Sequence, residues 1–375
     1  MIVELIKNNE EYSIFQKVYE KPHKDESNKN KKTSYSNKNK KKEDPTDMLL
    51  DIDYTKGIFK KENPKFFENF ELLESLKSGS AGAVYKAKSK KREKLIAVKV
   101  LPNIVKEKSE KAQFLRHKEA IIHKKLHHNN IPELYGFYPV GKNYSCMMME
   151  YNQYGDLENF KKKVIKRACL SETLLCYIAG GIINALDYLH KNKILHMDIK
   201  QQNVLVDDFL NIKLTDYSIS ISYENKKEIK LPLVGTCYYM SPEVLKKQKI
   251  EAKDASKIDI YSFGVLLYLL AFSDYPYELD KVNHTDYEKI YKNIKEKNIE
   301  FPNNTGHSEM FKNFVKKCLE KDINKRYNIY QAMNDPWMKG YNFILDEKEN
   351  LYNAGKFMVE MLIDSVKPFN DYIKK

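Results

Sequence analysis

The chain has 375 residues, a formal net charge of +13 and a hydrophobic share of 42%. It is therefore long enough for one two-lobed enzyme or two modest domains with buried cores. Its five cysteines are scattered and lack C-x-x-C spacing, which argues against a disulfide scaffold or zinc site and for reduced thiols in the cytosol or nucleus. Nucleic-acid binding is disfavoured as the main function, because the lysines are spread along the chain, many beside glutamates, as on solvated helix faces.

Membrane targeting is not indicated either. The amino terminus lacks the long apolar core of a signal peptide, and position 2 is Ile2 rather than the glycine that myristoylation needs. The longest apolar run, Tyr261 to Phe272, is shorter than the roughly 20 residues that span a bilayer and indicates a buried helix.

The amino-terminal region divides by composition. Residues 1–20 carry apolar positions at a loosely helical spacing, and we interpret them as a candidate docking segment. Residues 21–47 are Lys, Asn and Ser with almost nothing apolar, so they are predicted to be disordered. The basic run 38–42 is either a nuclear import signal or compositional drift. We expect a cytoplasmic protein, with the nucleus as the alternative location.

Two β-like runs follow, joined by a glycine-bearing turn. Residues 70–76 alternate in polarity, and the turn after them contains Gly79 and Gly82. Glycine lets backbone N–H groups approach phosphate with no Cβ in the way, so the turn is either a phosphate loop or an ordinary hairpin. The next β-like run, 96–100, carries Lys99, which alone would be an edge charge.

A predicted helix over 171–192 leads to a run that suits phosphoryl transfer. Asp198, Lys200 and Asn203 stand in order, and Asp216 follows a second short strand. Phosphoryl transfer asks a protein to position a hydroxyl, hold a divalent metal and neutralise phosphate charge. An Asp-x-Lys pair alone arises by chance among 65 Lys and Arg residues, but the ordered set flanked by β-like runs is much rarer.

This set resembles the eukaryotic protein kinases, whose catalytic loop reads His-Arg-Asp-Leu-Lys-x-x-Asn and whose metal motif reads Asp-Phe-Gly. Lys200 is typical of the Ser/Thr branch, and the resemblance covers residues 70–338 in unbroken motif order. It implies an α+β, two-lobed protein kinase fold with a small β-rich N-lobe and a larger helical C-lobe. It also implies ATP and Mg²⁺ as cofactors, protein substrates and a monomer. Residues 339–375 are expected to form a C-terminal helical extension.

The resemblance assigns the chemistry to a few residues. Asp198 positions and deprotonates the substrate hydroxyl, and Lys200 steadies the γ-phosphate. Thr236, in the segment ending Ser-Pro-Glu, is grouped with them as catalytic, while Asn203 and Asp216 bind magnesium. In the nucleotide site Lys99 pairs with the phosphates and Glu119 orients it. The nucleotide-binding set is Leu76, Gly79, Gly82, Val84, Ala97, Lys99, Glu119, Met149, Glu150, Tyr151, Asn152 and Leu205.

The resemblance also implies two structural pairings and contains several departures. Asp259 is expected to hydrogen-bond the catalytic-loop backbone, and Arg326 to pair with Glu243. Met197 replaces the arginine that receives an activation-segment phosphate in the family, so that activation route loses its main receptor. The remaining departures are Lys77 and Ala81 in the glycine loop, Tyr217 and Ser218 in the metal motif, and His123, four residues after Glu119.

Two function classes follow. One is an active Ser/Thr protein kinase that is not dependent on activation-segment phosphorylation. The other is a pseudokinase scaffold that binds partners with little or no catalysis. The five polar catalytic positions favour the enzyme, because a scaffold would not need them; they are Lys99, Glu119, Asp198, Asn203 and Asp216.

Overall fold

A computed structural model describes seven stretches of the chain: residues 69–79, 82–90, 94–102, 118–140, 144–165, 169–303 and 305–341. The predicted docking segment, the predicted disordered segment, Ala81 and nearly all of the C-terminal extension lie outside them. The chain divides into two compact units. Among the described residues, the first unit consists of 69–90, 98–102, 136–140 and 144–147. The second unit consists of 94–97, 118–135 and 148–341. The gaps given above apply to both units.

A five-stranded sheet, most of it in the first unit, has the strand order β1-β2-β3-β5-β4. The strands are β1 Phe70–Gly79, β2 Gly82–Ser89, β3 Leu95–Pro102, β4 Leu134–Val140 and β5 Tyr144–Glu150. β1 and β2 are antiparallel, and their pairing continues to Gly79 opposite Gly82. The predicted turn is therefore shorter than expected, because its flanks join the ladder. A Cβ at Gly82, whose φ is +120°, would lie 2.3 Å from the Val100 carbonyl oxygen, so only glycine fits there.

The second unit contains helices and three short strand pairs. The helices are α1 Leu157–Phe160, α2 Glu172–Lys191, α3 Pro242–Leu245, α4 Ser256–Phe272, α5 Tyr287–Glu296, α6 Glu309–Cys318 and α7 Ile329–Met333, and residues 118–123 are also helical. β6 Ile194–Leu195 pairs with β9 Ile221–Ser222, β7 Val204–Val206 with β8 Ile212–Leu214, and β10 Glu228–Lys230 with β11 Lys249–Glu251. The sheet and these helices confirm the predicted α+β fold, with one β-rich and one helix-rich unit.

Helix α2 begins and ends where the sequence predicts. The Ser171 side chain accepts from the Leu174 N–H at the amino-terminal cap, and Asn192 closes the helix. Its buried residues, including Leu175, Ile178 and Ile182, lie in the core of the unit. The helix thereby fixes the start of the loop that carries Asp198.

Helix α4 is buried along its whole length, as predicted for the apolar run within it. With the turn before it the segment Ala252–Phe272 has 21 residues, long and apolar enough to cross a membrane by length and composition. However, 89% of an apolar 18-residue window within that stretch is buried inside the protein, which marks it as a core helix. We expected the apolar run to be too short for a membrane span. The helical segment is in fact long enough, and its burial is what argues against one.

Candidate active site

The Asp198 carboxylate lies in the loop between β6 and β7 and uses both of its oxygens. Oδ2 accepts from Lys200 Nζ at 2.6 Å and from Asn203 Nδ2 at 2.9 Å. Oδ1 accepts from Thr236 Oγ1 at 2.9 Å and from the Thr236 N–H at 3.2 Å. Lys200 Nζ also donates to Thr236 Oγ1 at 2.8 Å. The structure thus brings the three predicted catalytic residues, Asp198, Lys200 and Thr236, into mutual contact.

Asn203 is held by its amide nitrogen and leaves its oxygen unused. Nδ2 donates to the Asp198 carbonyl oxygen at 2.8 Å as well as to the carboxylate. Asn203 is fully buried, and its Oδ1 has no hydrogen-bond partner. A buried acceptor without a partner carries an energetic penalty of about 1–3 kcal/mol, so this oxygen faces a position suited to a ligand.

The β7–β8 pair brings the backbone that leads to Asp216 against the backbone of Asn203. Val204 pairs with Leu214, and the Thr215 N–H donates to the Asn203 carbonyl oxygen at 2.9 Å. Asp216 follows directly, with a φ of 70°, and its Oδ1 accepts from the Ser218 N–H at 3.4 Å. A non-glycine residue in this left-handed region is uncommon and is often found at functional sites.

Asp259, at the start of α4, fixes the backbone of the loop. Its Oδ2 accepts from the His196 N–H and its Oδ1 from the Met197 N–H, each at 2.9 Å, which confirms the predicted contact. His190 Nε2 lies 2.8 Å from Oδ2. Burial alone raises the pKa of Asp259, but the hydrogen bonds from His190 and from the Met197 N–H stabilise the carboxylate and hold that pKa below its ordinary value.

The His196 ring is oriented by two further contacts. Nδ1 accepts from the Asp198 N–H at 3.2 Å, so Nε2 carries the proton that is shared with the Thr215 carbonyl oxygen at 3.0 Å. The ring packs edge-on against Tyr217, 5.4 Å between centroids, and His123 contacts the same tyrosine at 5.1 Å. The loop that carries His196 therefore packs against Tyr217 in the segment after β8.

The segment carrying Thr236 is anchored by a buried ion pair. Arg326 forms two hydrogen bonds of 3.0 Å with the two carboxylate oxygens of Glu243, as predicted. Arg326 is 1% exposed, donates to the Glu320 carbonyl oxygen at 2.7 Å and stacks over the Tyr261 ring at 4.9 Å. A paired and fully bonded guanidinium of this kind fixes the end of the segment.

The predicted nucleotide-binding residues are divided between the two units. Leu76, Gly79, Gly82, Val84 and Lys99 belong to the first unit, and the other seven belong to the second. Lys99 and Glu119 are each 7% exposed.

Within the second unit, the Asp156–Leu205 bridge ties the stretch after β5 to β7. Glu150 forms a 2.9 Å ion pair with Lys213, so its side chain is engaged and only its backbone is left for a ligand. Asn152 has a buried Oδ1 without a partner.

The family model described as "Protein kinase domain" matches residues 70–338. The chain belongs to the protein kinase family. The match has the same bounds as the stretch recognised in the sequence, which confirms the predicted resemblance to the eukaryotic protein kinases.

Three curated relatives share this kinase chain's sequence over about three quarters of its length. MAP kinase kinase MKK1/SSP32 of Saccharomyces cerevisiae is 30% identical over 73% of the chain and 54% of its own length. Serine/threonine-protein kinase tousled-like 1 of Homo sapiens is 28% identical over 79% of the chain and 40% of its own length. Serine/threonine-protein kinase dst2 of Dictyostelium discoideum is 28% identical over 74% of the chain and 23% of its own length. The kinase chain thus spans about half or less of the relatives' lengths.

Sequence reasoning missed two residues of the kinase chain's site. His190 was not singled out, because one histidine at the end of a helix carries no signal until Asp259 is known to lie beside it. Lys213 was not linked to Glu150, since 63 residues separate them and only the β7–β8 pair brings them together.

Proposed function

We propose that this chain is a Ser/Thr protein kinase that transfers the γ-phosphate of Mg-ATP to hydroxyl groups on proteins. The observation that carries the proposal is the Asp198 carboxylate, which contacts a cation, a hydroxyl and an amide within 3 Å. Phosphoryl transfer needs an acid, a cation and metal ligands grouped in this way, and little covalent chemistry besides.

Asp198 receives the substrate hydroxyl in this proposal. The hydroxyl oxygen attacks the γ-phosphorus, the bond from that phosphorus to the bridging oxygen breaks, and ADP leaves with the bridging oxygen. The hydroxyl proton passes to the Asp198 carboxylate, which acts as the general base. The Asp198 side chain is 11% exposed, so it is held rigidly but is still accessible to a substrate.

Lys200 and Thr236 complete the acceptor side. Lys200 Nζ, between Asp198 and Thr236, supplies the positive charge that steadies the γ-phosphate oxygens. Its side chain is 21% exposed, which lets it contact a phosphate as well as Asp198. Thr236 donates to Asp198 through both its hydroxyl and its N–H, and so links the peptide-substrate segment to the base.

The donor set near Asp198 fits magnesium. Asn203 Oδ1 is a buried oxygen without a hydrogen-bond partner, and Asp216 follows Thr215, whose N–H donates to the Asn203 backbone carbonyl oxygen. Two protein oxygens, with phosphate and water, are the usual complement for Mg²⁺. In the described residues no group of three or more His, Cys, Asp or Glu side chains is placed for a metal, consistent with a site shared with nucleotide. Bound there, Mg²⁺ would neutralise phosphate charge.

The nucleotide would be held by the twelve residues predicted from the sequence. Lys99 and Glu119 are both buried, as expected for a phosphate-binding lysine and the acid that orients it. Gly82 keeps the backbone free of a Cβ, and the backbone of Glu150 to Asn152 would meet the adenine edge. Monomeric state and cytoplasmic location, with the nucleus as the alternative, stay predictions.

We infer independence from activation-segment phosphorylation from Met197. This residue is 6% exposed, and its thioether carries no charge that would attract a phosphate. A pseudokinase scaffold is the alternative function, but no observation on the site favours it, since Asp198, Lys200 and Asn203 stand in bonding contact.

The experiment is a phosphate-transfer assay of the purified chain with labelled ATP and a generic basic protein. We expect transfer onto Ser or Thr that requires Mg²⁺ and stops when a chelator is added. Nucleotide binding without any transfer, over a range of protein substrates, would support the scaffold instead.

A further inference from the structure

A basic pocket lies in the second unit, apart from the residues grouped around Asp198. Its volume is about 720 Å³, and it is formed by the helical residues 118–123 with the turn after them, the end of α2, β6, and β9 with the residues that follow. We call it the basic pocket. Its lining residues include five lysines and one acid, Glu224. A function for it does not follow from the chemistry described above.

Most lysines of the basic pocket have no counter-charge among the residues that the structure describes. Lys191 is paired with Asp187 at 2.6 Å. The other four form no ion pair with any residue that the structure describes; they are Lys118, Lys125, Lys193 and Lys226. Lys226 Nζ donates to the Ser222 carbonyl oxygen at 3.0 Å, and burial lowers the pKa of Lys118. Clustered like charges in a concave surface attract an anionic ligand.

The floor of the pocket is apolar. Ile122, Leu126 and Ile194 are buried there, Ile221 is half-buried, and Ile121 is 38% exposed. An occupant must therefore present aliphatic side chains as well as negative charge, because free phosphate or another small anion would leave this floor uncovered.

One segment of this chain has that composition. Residues 43–54 read Glu-Asp-Pro-Thr-Asp-Met-Leu-Leu-Asp-Ile-Asp-Tyr, with five acids and no lysine or arginine, in a chain whose net charge is +13. Apolar residues alternate with the acids, at Met48, Leu49, Leu50, Ile52 and Tyr54. Tyr54 lies fifteen positions before Asn69, and a stretch of that length can extend over about 50 Å.

We propose that residues 43–54 of the same molecule bind in the basic pocket, with their carboxylates on the lysines of its rim and their aliphatic side chains on its floor. The pocket joins the helical residues that carry Glu119 to β9, which follows Asp216 by five residues. Binding would hold these two elements together. That consequence for activity rests on the proposed kinase function, whereas the binding itself does not.

The test is hydrogen–deuterium exchange of the full-length chain, read by mass spectrometry on peptides that cover residues 43–54. It uses neither ATP nor a substrate, so its failure is distinct from failure of the kinase proposal. The pocket variant is Lys125→Glu with Lys193→Glu, both at exposed positions. The segment variant is Asp51→Lys with Asp53→Lys, which changes no pocket residue. A combined variant carries all four changes, and Lys292→Glu with Lys295→Glu on α5 is the matched control.

We expect the amides of 43–54 in the wild type and the control to exchange at least ten-fold more slowly than in the pocket and segment variants. The combined variant should regain protection, and raised salt should weaken it. Absence of protection in the wild type, protection that survives the pocket variant, or a combined variant that regains none would overturn the proposal. Protection that falls on dilution would also overturn it, since the occupant would then come from a second copy.

Discussion

Asn203 donates its side-chain amide to both the carbonyl oxygen and the carboxylate of Asp198, at 2.8 and 2.9 Å, while its own Oδ1 stays buried without a partner. One amide thus positions the general base with its nitrogen and has an oxygen ready for a cation. This division of roles depends on an amide, since a carboxylate has no donor and an aliphatic side chain has neither group.

Asn203→Asp should therefore lose activity although the shape of the side chain is kept. The change removes the donor and puts a second carboxylate within 3 Å of the Asp198 Oδ2 position, which raises the pKa of the pair. We expect a fall in phosphate transfer on the order of 100-fold, measured at saturating ATP over a series of Mg²⁺ concentrations. Asn334→Asp, which also removes a donor to a carbonyl oxygen, is the control and should leave the rate unchanged. Equal rates for both variants would contradict the assignment.

Much of this site was predictable because its residues are close in sequence. Asp198, Lys200 and Asn203 lie within six residues, so their order alone predicted that they converge. The β1–β2 hairpin and the two ends of α2 were also predictable, from alternation and from the Ser171 cap.

What escaped prediction depends on packing between distant elements. The basic pocket draws on three separate stretches of sequence, and no local pattern brings Lys118, Lys193 and Lys226 together. The apolar run from Tyr261 to Phe272 is only part of α4, because the first turn of the helix contains polar residues that are nonetheless buried, among them Ser256 and Asp259. These residues are tolerated there because the tertiary structure supplies partners.

The Arg326–Glu243 pair should be essential for stability. Arg326→Met leaves the Glu243 carboxylate buried without its cation, so we expect the free energy of unfolding to fall by about 3–5 kcal/mol. Adding Glu243→Gln should recover part of this loss. Lys249→Met is the control, because the Lys249–Glu228 pair is about two thirds exposed and surface pairs contribute under about 1 kcal/mol. Denaturant unfolding measures all three, and equal effects of Arg326→Met and Lys249→Met would contradict the prediction.

Treatment with a phosphatase should leave most of the activity in place, because Met197 offers no receptor for an activation-segment phosphate. A loss of ten-fold or more, about 1.4 kcal/mol of transition-state stabilisation, would mean that another cation receives one. The hydroxyls to map first are those of Ser220, Ser222 and Tyr223. Of these, Ser220 and Tyr223 are buried and hydrogen-bonded to backbone carbonyls. Ser222 is exposed and lines the basic pocket. If phosphatase treatment does cause such a loss of activity, Ser222→Ala should reproduce it.

Substrate choice should be broad. By position in the family segment, we expect Leu233, Cys237 and Met240 to face the residue that follows the phosphoacceptor. Burial raises the pKa of the Cys237 thiol, so all three of these side chains are uncharged. We expect a modest preference for an aliphatic or aromatic residue, since apolar pockets discriminate by about 1–3 kcal/mol per group. A peptide array that shows strict dependence on proline at that position would contradict this.

A preference for basic residues before the phosphoacceptor should be weak. Asp156 lies after β5, where a carboxylate could receive an upstream arginine, but it uses both carboxylate oxygens to cap α1 through Asn159. Glu158 accepts from both Gln202 and Lys162. On the same array, Asp156→Asn should change the upstream profile by less than about 1 kcal/mol, as for an exposed charge pair. A strong arginine requirement that Asp156→Asn abolishes would show that the cap opens for substrate.

The most direct measurement compares Asp198→Asn with the wild type for nucleotide binding and for phosphate transfer on the same preparations. The substitution keeps the size of the side chain, and Asp198 is not itself a predicted phosphate contact, so ATP should bind nearly as before. Transfer should fall by about 100-fold to 10,000-fold, the usual contribution of a general base. Asp208→Asn, at an exposed turn position, should change neither quantity, and Lys99→Met should weaken both. Near-wild-type transfer by Asp198→Asn, with binding intact, would contradict the assignment of Asp198 as the catalytic base.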